Sequence, residues 1–394
     1  MTEIVTIEKL VYGGHGLARN EGRVVLTPFV LPDERVEVER TDKLHARLVR
    51  IESASDRRVD APCPYFSFCG GCHYQHAPYT YQLEQKMAIL REVMQRIGKF
   101  AVPVDIEIVS APEWQYRNRV QLHYADGRIG YLEAGSHRLC PISKCPISSP
   151  RINEVIAVLD RMARDRRFPT FLRSLEVFTN ERDVQLNIVD SAKPVARRFF
   201  DWCAQEIPGF QMGALKYDTA QHTFRVSPRS FFQVNRFLTD ALVNVAIGDA
   251  TGTLALDLYA GVGLFSLPLA SRFERVVAVE GGASAVADFE VNAEHVKAEI
   301  ELHHTDVEKY IADVDAAPDL LLADPPRSGL AKEVTRHIVR LRPPRVHLVA
   351  CDPTTLARDL AVLLGSGYRI ERMVLVDLFP QTYHMETVVH LLAS

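Results

Sequence analysis

No stretch of this 394-residue chain stays apolar for the roughly 20 residues that a membrane-spanning helix requires. The most apolar long stretch, 254–270, is interrupted by Asp257, Gly261, Gly263 and Pro268, so it reads as strand, loop and helix. The N-terminus lacks the basic-then-apolar pattern of a secretory signal, and the expected location is the cytoplasm. A large excess of one charge sign is missing too. Lys and Arg number 46 against 50 Asp and Glu, a net charge of −4, which as an average argues mildly against a polyphosphate partner. Local groups of arginine remain (Arg117, Arg119 and Arg128; Arg161, Arg164, Arg166 and Arg167), and such runs taken alone read as solvated faces. A disulfide framework is missing as well. The seven cysteines are an odd number in a long, cytosolic-looking chain, so clustered ones read as metal ligands and isolated ones as core thiols or nucleophiles.

What is present falls into three parts. Residues 1–55 carry short alternating runs (4–10, 24–28, 35–40, 44–51) separated by the turn signals Gly13-Gly14, Asn20-Glu21-Gly22 and Leu31-Pro32-Asp33, which predicts a small β-barrel. A central part, 56–225, begins with a cysteine- and aromatic-rich stretch and continues as mixed strand and helix. Its helix at about 79–97, with Leu83, Met87, Leu90, Met94 and Ile97 on one stripe, is free to pack on the third part. Residues 226–394 form that third part. Apolar runs at 254–259, 275–280, 300–303, 319–324 and 345–351 alternate with helical stretches, the pattern of a doubly wound parallel sheet. Two final runs, 369–378 and 387–392, have no helix between them and must pair antiparallel. The expected fold class is therefore α/β, with a barrel and an α+β part ahead of the main domain.

Ligands of open α/β sheets sit at the carboxyl ends of the strands. Asp257, Glu280, Asp306, Asp324 and Cys351 fall at or just beyond the ends of successive strand candidates. Asp257-Leu-Tyr-Ala-Gly261-Val-Gly263 makes a tight turn after the first of them, where Gly allows close approach of a ligand. The third glycine of a dinucleotide fingerprint is absent, since Ser266 stands there. Glu280, 19 residues after Gly261, suits a carboxylate on ribose hydroxyls. With the terminal hairpin, these features resemble class I (Rossmann-like) S-adenosylmethionine methyltransferases, whose first motif reads Asp-x-x-x-Gly-x-Gly.

Two peptides carry the chemistry: Asp324-Pro-Pro-Arg327-Ser-Gly329 after the fourth strand and Ala350-Cys351-Asp352-Pro353 after the fifth. Adjacent strands lie about 4.8 Å apart, which brings a carboxylate and a thiol to one pocket edge. Carbon 5 of uracil is a poor nucleophile. A thiolate adding to C6 makes C5 enolate-like and able to accept a methyl group, after which a base must remove the C5 proton. Glu386, at the start of the last strand, faces the same edge. Taken singly, Cys351 reads as a core thiol and Glu386 as a turn residue.

Together these peptides resemble the RNA 5-methyluridine methyltransferases. That resemblance implies Cys351 as nucleophile, Glu386 as base and Asp324 as the carboxylate at substrate and cofactor. Phe232-Gln233-Val234-Asn235 matches a segment of the family and implies a cofactor contact by Gln233. Tyr259, Leu264, Glu280 and Asp306 match further cofactor positions, Leu264 through its backbone alone; Gly261 and Gly263 supply the turn. The family's Ser-Cys-Asn-Pro is here Ala350-Cys351-Asp352-Pro353. An ionised Asp352 would oppose thiolate formation, whereas as a helix cap it would not.

Cys63-x5-Cys69-x2-Cys72, with Cys145 or Cys140 as a fourth ligand, reads as a metal site for zinc or an iron–sulfur cluster. The family resemblance implies a [4Fe–4S] cluster on Cys63, Cys69, Cys72 and Cys145. Residues 1–55 resemble a TRAM domain, an OB-like RNA-binding barrel, with Lys43, His45, Arg47 and Arg50 as its basic side chains. Family members that act on 23S rRNA often have both parts, which favours that substrate over tRNA. The chain is expected to act as a monomer without a membrane. Two readings compete. Adenine N6-methylases need an aromatic where Arg327 stands, and RNA cytosine-5 enzymes a cysteine after Pro326. A non-catalytic, cluster-bearing RNA-binding protein would have no need of Cys351, Asp324 and Glu386 together.

Overall fold

The computed structural model describes residues 2–394. Six strands come first: β1 (Thr2–Thr6), β2 (Lys9–Val11), β3 (His15–Asn20), β4 (Arg23–Pro28), β5 (Arg35–Arg40) and β6 (Ala46–Ser53). They pair antiparallel as two three-stranded sheets, β1-β5-β6 and β2-β3-β4, bridged between Leu26 and His45. Period-two patterning decides their faces. Val36 and Val38 of β5 point into a core with Val5, Ile7, Ala18 and Val25, while Glu37 and Glu39 lie more open. Those acids are paired with Arg50 and Arg47, so two of the four basic side chains noted in this region are already neutralised.

The chain continues through the cysteine-rich loops into α1 (Tyr79–Val93), a π-helical turn Met94–Gly98, and β7 (Ile106–Val109). A central layer follows, with β8 (Arg119–Ala125), β9 (Arg128–Leu132), β10 (Leu139–Pro141), α2 (Pro150–Ala163), β11 (Leu172–Thr179), β12 (Val184–Ser191), α3 (Arg197–Glu206) and β13 (Phe210–Gln211). Its sheet runs β10-β9-β8-β11-β12-β13. α2 starts where the Ser149 hydroxyl accepts the Ile152 N–H and Pro150 follows directly, a sequence-encoded cap. It buries Ile152, Val155, Ile156 and Leu159 against that sheet beside Phe199 and Trp202 of α3. The arginines at its end are ion-paired: Arg161 with Glu206, Arg164 with Asp160 and Arg167 with Asp165.

A hairpin of β14 (Leu215–Asp218) and β15 (Thr223–Val226) leads to α4 (Thr239–Ile247) and the C-terminal layer. This contains β16 (Gly252–Leu258), α5 (Ser266–Leu269), β17 (Phe273–Glu280), α6 (Ala283–Ala293), β18 (Glu299–His304), α7 (Val307–Ala312), β19 (Leu320–Ala323), α8 (Lys332–Leu341), β20 (Arg345–Ala350), α9 (Pro353–Gly365), β21 (Tyr368–Val376) and β22 (Glu386–Ala393). The sheet order is β18-β17-β16-β19-β20-β22-β21-β7. Its first five strands are parallel, and β22 slots antiparallel between β20 and β21. All four residues of β19 are buried, as expected for a strand covered on both faces.

Two features depart from the sequence pattern. β7 adds an eighth strand, parallel to β21. The buried stripe of α1 is Gln82, Lys86, Ile89, Leu90 and Val93; of the expected stripe, Leu90 and Met94 are buried, Leu83 and Met87 are half-buried and Ile97 is exposed. The helix is rotated because Gln82 and Lys86 have buried polar partners in the C-terminal layer. No described helix is long and apolar enough to cross a membrane.

Candidate active site

The topology brings three strand ends to one edge. β19 and β20 run parallel, so Asp324 and Cys351 emerge side by side after them. β22 runs against β20 with Thr387 opposite Ala350, and its first residue, Glu386, pairs across β21 with Val376. An antiparallel strand starts where its parallel neighbours end, so Glu386 lands beside Cys351 although the two are far apart in sequence.

The groups at this edge compete for protons. Burial pushes the Cys351 thiol up to about 12; Glu386 and Asp324 push the same way, and Arg327 opposes them. Glu386 is buried, and that burial, reinforced by Asp324, holds its carboxyl well above the ordinary range; Arg327 again opposes. Burial lifts Asp324 to about 7. Two carboxyls and a thiol therefore cannot all ionise here without further positive charge.

Asp352 follows the thiol but does not crowd it with a loose charge. It is the N-cap of α9: Oδ1 accepts the Thr354 and Thr355 N–H groups at 2.8 and 3.1 Å, together with the Thr354 hydroxyl. These bonds outweigh burial and hold its carboxyl below the usual range.

The glycine turn lies two strands away. Tyr259, Gly261 and Gly263 all take positive φ, at +64°, +58° and +94°. For a tyrosine this is uncommon backbone, held by the surrounding fold. A Cβ at Gly261 would meet nothing, so the turn faces open space; at Gly263 it would lie 2.5 Å from Leu267. Glu280 ties the turn together by accepting the Gly261 and Gly282 N–H groups at 2.8 and 2.6 Å. Beneath it Asp257 is fully buried; one oxygen takes the Ser266 hydroxyl and the other has no partner. Burial lifts this carboxyl to about 7. Leu264 points into the core. Asp306 is exposed at the start of α7, paired with Lys309 at 2.7 Å and close to Gly281. Gln233 is buried in a segment anchored when the Asn235 amide donates to the Leu378 carbonyl at 3.0 Å.

The family model for tRNA (uracil-5-)-methyltransferases matches residues 210–394. An RNA methyltransferase of Aquifex aeolicus without further characterisation is 32% identical over 98% of this chain and 97% of its own. The 23S rRNA (uracil(1939)-C(5))-methyltransferase RlmD of Shewanella amazonensis is 32% identical over 96% of this chain and 93% of its own. The chain belongs to the RNA uracil-5-methyltransferase family. Among solved structures, the tRNA (uracil-54, C5)-methyltransferase of Pyrococcus abyssi, in complex with S-adenosyl-L-homocysteine, aligns over 100% of both chains at 25% identity, with a TM-score of 0.76.

This methyltransferase anchors the loop before Glu386 from several sides. Lys86 of α1, wholly buried, donates to Asp377 Oδ1 at 2.6 Å and to the Phe379 carbonyl at 3.0 Å. The Tyr79 hydroxyl takes the other Asp377 oxygen at 2.9 Å. Gln82 and Gln381 exchange side-chain and backbone bonds. The Tyr116 hydroxyl donates to the Pro380 carbonyl at 3.0 Å. Sequence reading missed Lys86, Arg327 and Tyr12, the last of which donates to Asp352 from the N-terminal strands. Only Arg327 carried a local signal, its place in Asp324-Pro-Pro-Arg327.

Away from this edge, Cys63, Cys69, Cys72 and Cys145 line one cavity of about 390 Å³, shared with Arg117, Lys144 and Tyr131. Among the described residues, no three or more His, Cys, Asp or Glu side chains converge tightly enough to hold a single ion. The thiols rim a void. Burial pushes Cys63, Cys69 and Cys72 up, Cys69 to about 12, and neighbouring cysteines add to the push. Cys140 lies outside the lining, within hydrogen-bond reach of Cys69.

Proposed function

We propose that the protein methylates C5 of a uridine in large-subunit ribosomal RNA, with S-adenosylmethionine as methyl donor, Cys351 as nucleophile and Glu386 as base. The observation that carries this is the meeting of Cys351, Asp324 and Glu386 at one sheet edge, a set that no packing requirement explains. The site suits the donor: an open turn at Gly261, Glu280 at the end of its strand, and a buried Asp257 oxygen without a partner. Gln233, Tyr259, Leu264, Glu280, Asp306 and Asp324 would hold it. When bound, it supplies an electrophilic methyl group and a positive sulfonium charge.

The chain's own residues do the rest. The Cys351 thiolate adds to C6 of the flipped base, and the electron pair moves to C5 and O4. C5 would then form its bond to the methyl carbon as that carbon's bond to the donor sulfur breaks, the donor leaving as a neutral thioether. Glu386 takes the C5 proton, the C5–C6 double bond returns, and Cys351 leaves as thiolate. Arg327 lies where it favours both negative groups. The Lys86–Asp377 anchor fixes the loop that delivers Glu386.

The accessory parts fit an RNA enzyme. The N-terminal strands act as a TRAM-like barrel, and Cys63, Cys69, Cys72 and Cys145 as ligands of a structural [4Fe–4S] cluster. Four thiols around a void suit a body larger than one ion, and four thiolate ligands leave no open iron for chemistry. Full-length likeness to relatives named as 23S rRNA enzymes favours rRNA over tRNA. The test offers 5-fluorouridine-substituted 23S rRNA and tRNA transcripts with labelled S-adenosylmethionine. The fluorine cannot leave as a proton, so an adduct stable to denaturation should form on rRNA and be lost in Cys351→Ala. An adduct surviving that substitution would refute the nucleophile; label confined to tRNA would refute the substrate.

A further inference from the structure

The N-terminal barrel reaches the catalytic edge directly. Tyr12 follows β2, and its ring packs edge-on against Tyr383, with centroids 5.6 Å apart at 87°. Its hydroxyl donates to Asp352 Oδ2 at 3.0 Å, across 340 residues of chain. The same turn is pressed close to the loop before Glu386. Gly14 takes φ +83°, and a Cβ there would lie 3.1 Å from both His73 and Tyr383. Only glycine permits that approach at that φ.

Asp352 makes this contact matter. Its Oδ1 is occupied by the cap of α9, and Tyr12 occupies the other oxygen. Without Tyr12, one carboxylate oxygen would lose its protein partner one residue from Cys351. A negative charge free to turn toward a thiol opposes its ionisation. The groups facing Cys351 are Glu386 from β22, Asp324 and Arg327 from the loop after β19, and Tyr12 from the barrel.

We propose that Tyr12 is a positioning residue for Cys351: its hydroxyl pins the second oxygen of Asp352, so that seating of the barrel sets the geometry and charge of the nucleophile's turn. The proposal rests on Cys351 being the nucleophile. It makes the barrel part of the reaction centre as well as an RNA-binding arm. It also gives the aspartate at position 352 a partner of its own, a phenol donor.

The experiment uses the full-length protein and the conservative variant Tyr12→Phe, which keeps the ring. Alkylation of Cys351 by iodoacetamide, followed by peptide mass spectrometry between pH 7 and 11, reads thiolate directly and needs no RNA. In Tyr12→Phe the profile should move to higher pH, and adduct formation with 5-fluorouridine RNA should slow about threefold or more, the loss of a charge-assisted hydrogen bond. Adding Asp352→Asn removes the charge and should return the alkylation profile toward that of the unaltered protein. A Tyr12→Phe profile that superimposes on the unaltered one overturns the proposal, and so does a shift that Asp352→Asn leaves in place. Weakened RNA binding with unchanged alkylation also overturns it, because the barrel would then act through RNA alone. Methylation persisting in Cys351→Ala would instead remove the nucleophile reading, a result these alkylation outcomes do not mimic.

Discussion

The molecule holds two groups of partly or fully buried thiols that face different company. Cys351 shares its edge with two carboxyls, Glu386 and Asp324, and burial lifts all three groups. The four cavity thiols share theirs with one another, and Arg117 and Lys144 line the same space. Burial alone makes a thiol inert, because a lone negative charge is costly away from water. Each place holds more acidic groups than positive ones, with Arg327 at the edge and Arg117 and Lys144 at the cavity, and on the proposed reading they meet that imbalance differently. The cavity would hold a metal cluster permanently. The catalytic edge would be completed only while a cationic methyl donor is present, so Cys351 would stay protonated until the reaction is set up.

The sharpest way to break this comparison is to exchange the losses. Cys351→Ala should lower methylation on the order of 10³-fold or more, as removal of a covalent nucleophile does, while leaving iron content and thermal stability close to normal. Cys72→Ala should do the reverse in kind. Anaerobically purified protein should lose iron and its broad blue-region absorption, and its melting temperature should fall by about 5 °C or more, since metal binding is folding free energy. Iron lost from Cys351→Ala, or a full iron complement in Cys72→Ala, would erase the division between the two groups.

A second substitution separates the partners within the catalytic edge. Glu386→Gln keeps shape and removes the proposed base. Turnover should fall about 10²-fold or more, while methyl transfer to the adduct continues, so methylated RNA should accumulate on Cys351. Intact-mass measurement of the denatured complex reads this directly. Normal turnover would place the base elsewhere.

How much of this was written in the sequence follows from how far each contact reaches. β16, β17, β19 and β20 show as largely apolar runs because parallel strands covered on both faces carry few polar residues, and β19 is an extreme case; β18, at the sheet edge, is half polar and only partly buried. The meeting of Cys351 and Glu386 followed from direction alone, since a final strand antiparallel to β20 has to begin where β20 ends. β7 was hidden because four residues carry little period and its partner β21 lies more than 250 residues away. The face of α1 was misread for a physical reason. Lys86 and Gln82 are buried by bonds to Asp377, Phe379 and Gln381, and apolar periodicity cannot register a buried lysine whose partner is 291 residues distant. Tyr12 was invisible for the same reason, its partner being 340 residues away. Asp352 was legible as either a charge against the thiol or a cap, and the structure makes it the cap of α9.

The smallest expected effect is a proton count, and it tests the comparison at its root. Asp324 stands at about 7 and Glu386 well above its ordinary value, so both hold protons below neutrality in the unliganded protein. Both folded values are raised, so the stability they contribute is present at low pH and is lost as pH rises, for Asp324 through about 7. A cationic donor favours the ionised forms and should therefore expel protons on binding. Affinity for S-adenosylmethionine should rise with pH between about 6 and 8, by up to about tenfold per unit if one whole proton leaves. S-adenosylhomocysteine, which lacks the sulfonium charge, should show a flatter profile. His347 and His390, stacked 3.7 Å apart at the end of α4, have lowered values and add the opposite slope, weakening the fold as pH falls below about 6.5. They act equally in the free and bound protein, so they cancel in the difference between the two. Calorimetry in buffers of different ionisation heat measures that difference directly. Equal proton release by the two ligands would mean that the carboxyls at the catalytic edge do not answer to the sulfonium charge, and the contrast with the cysteine cavity would then lose its physical basis.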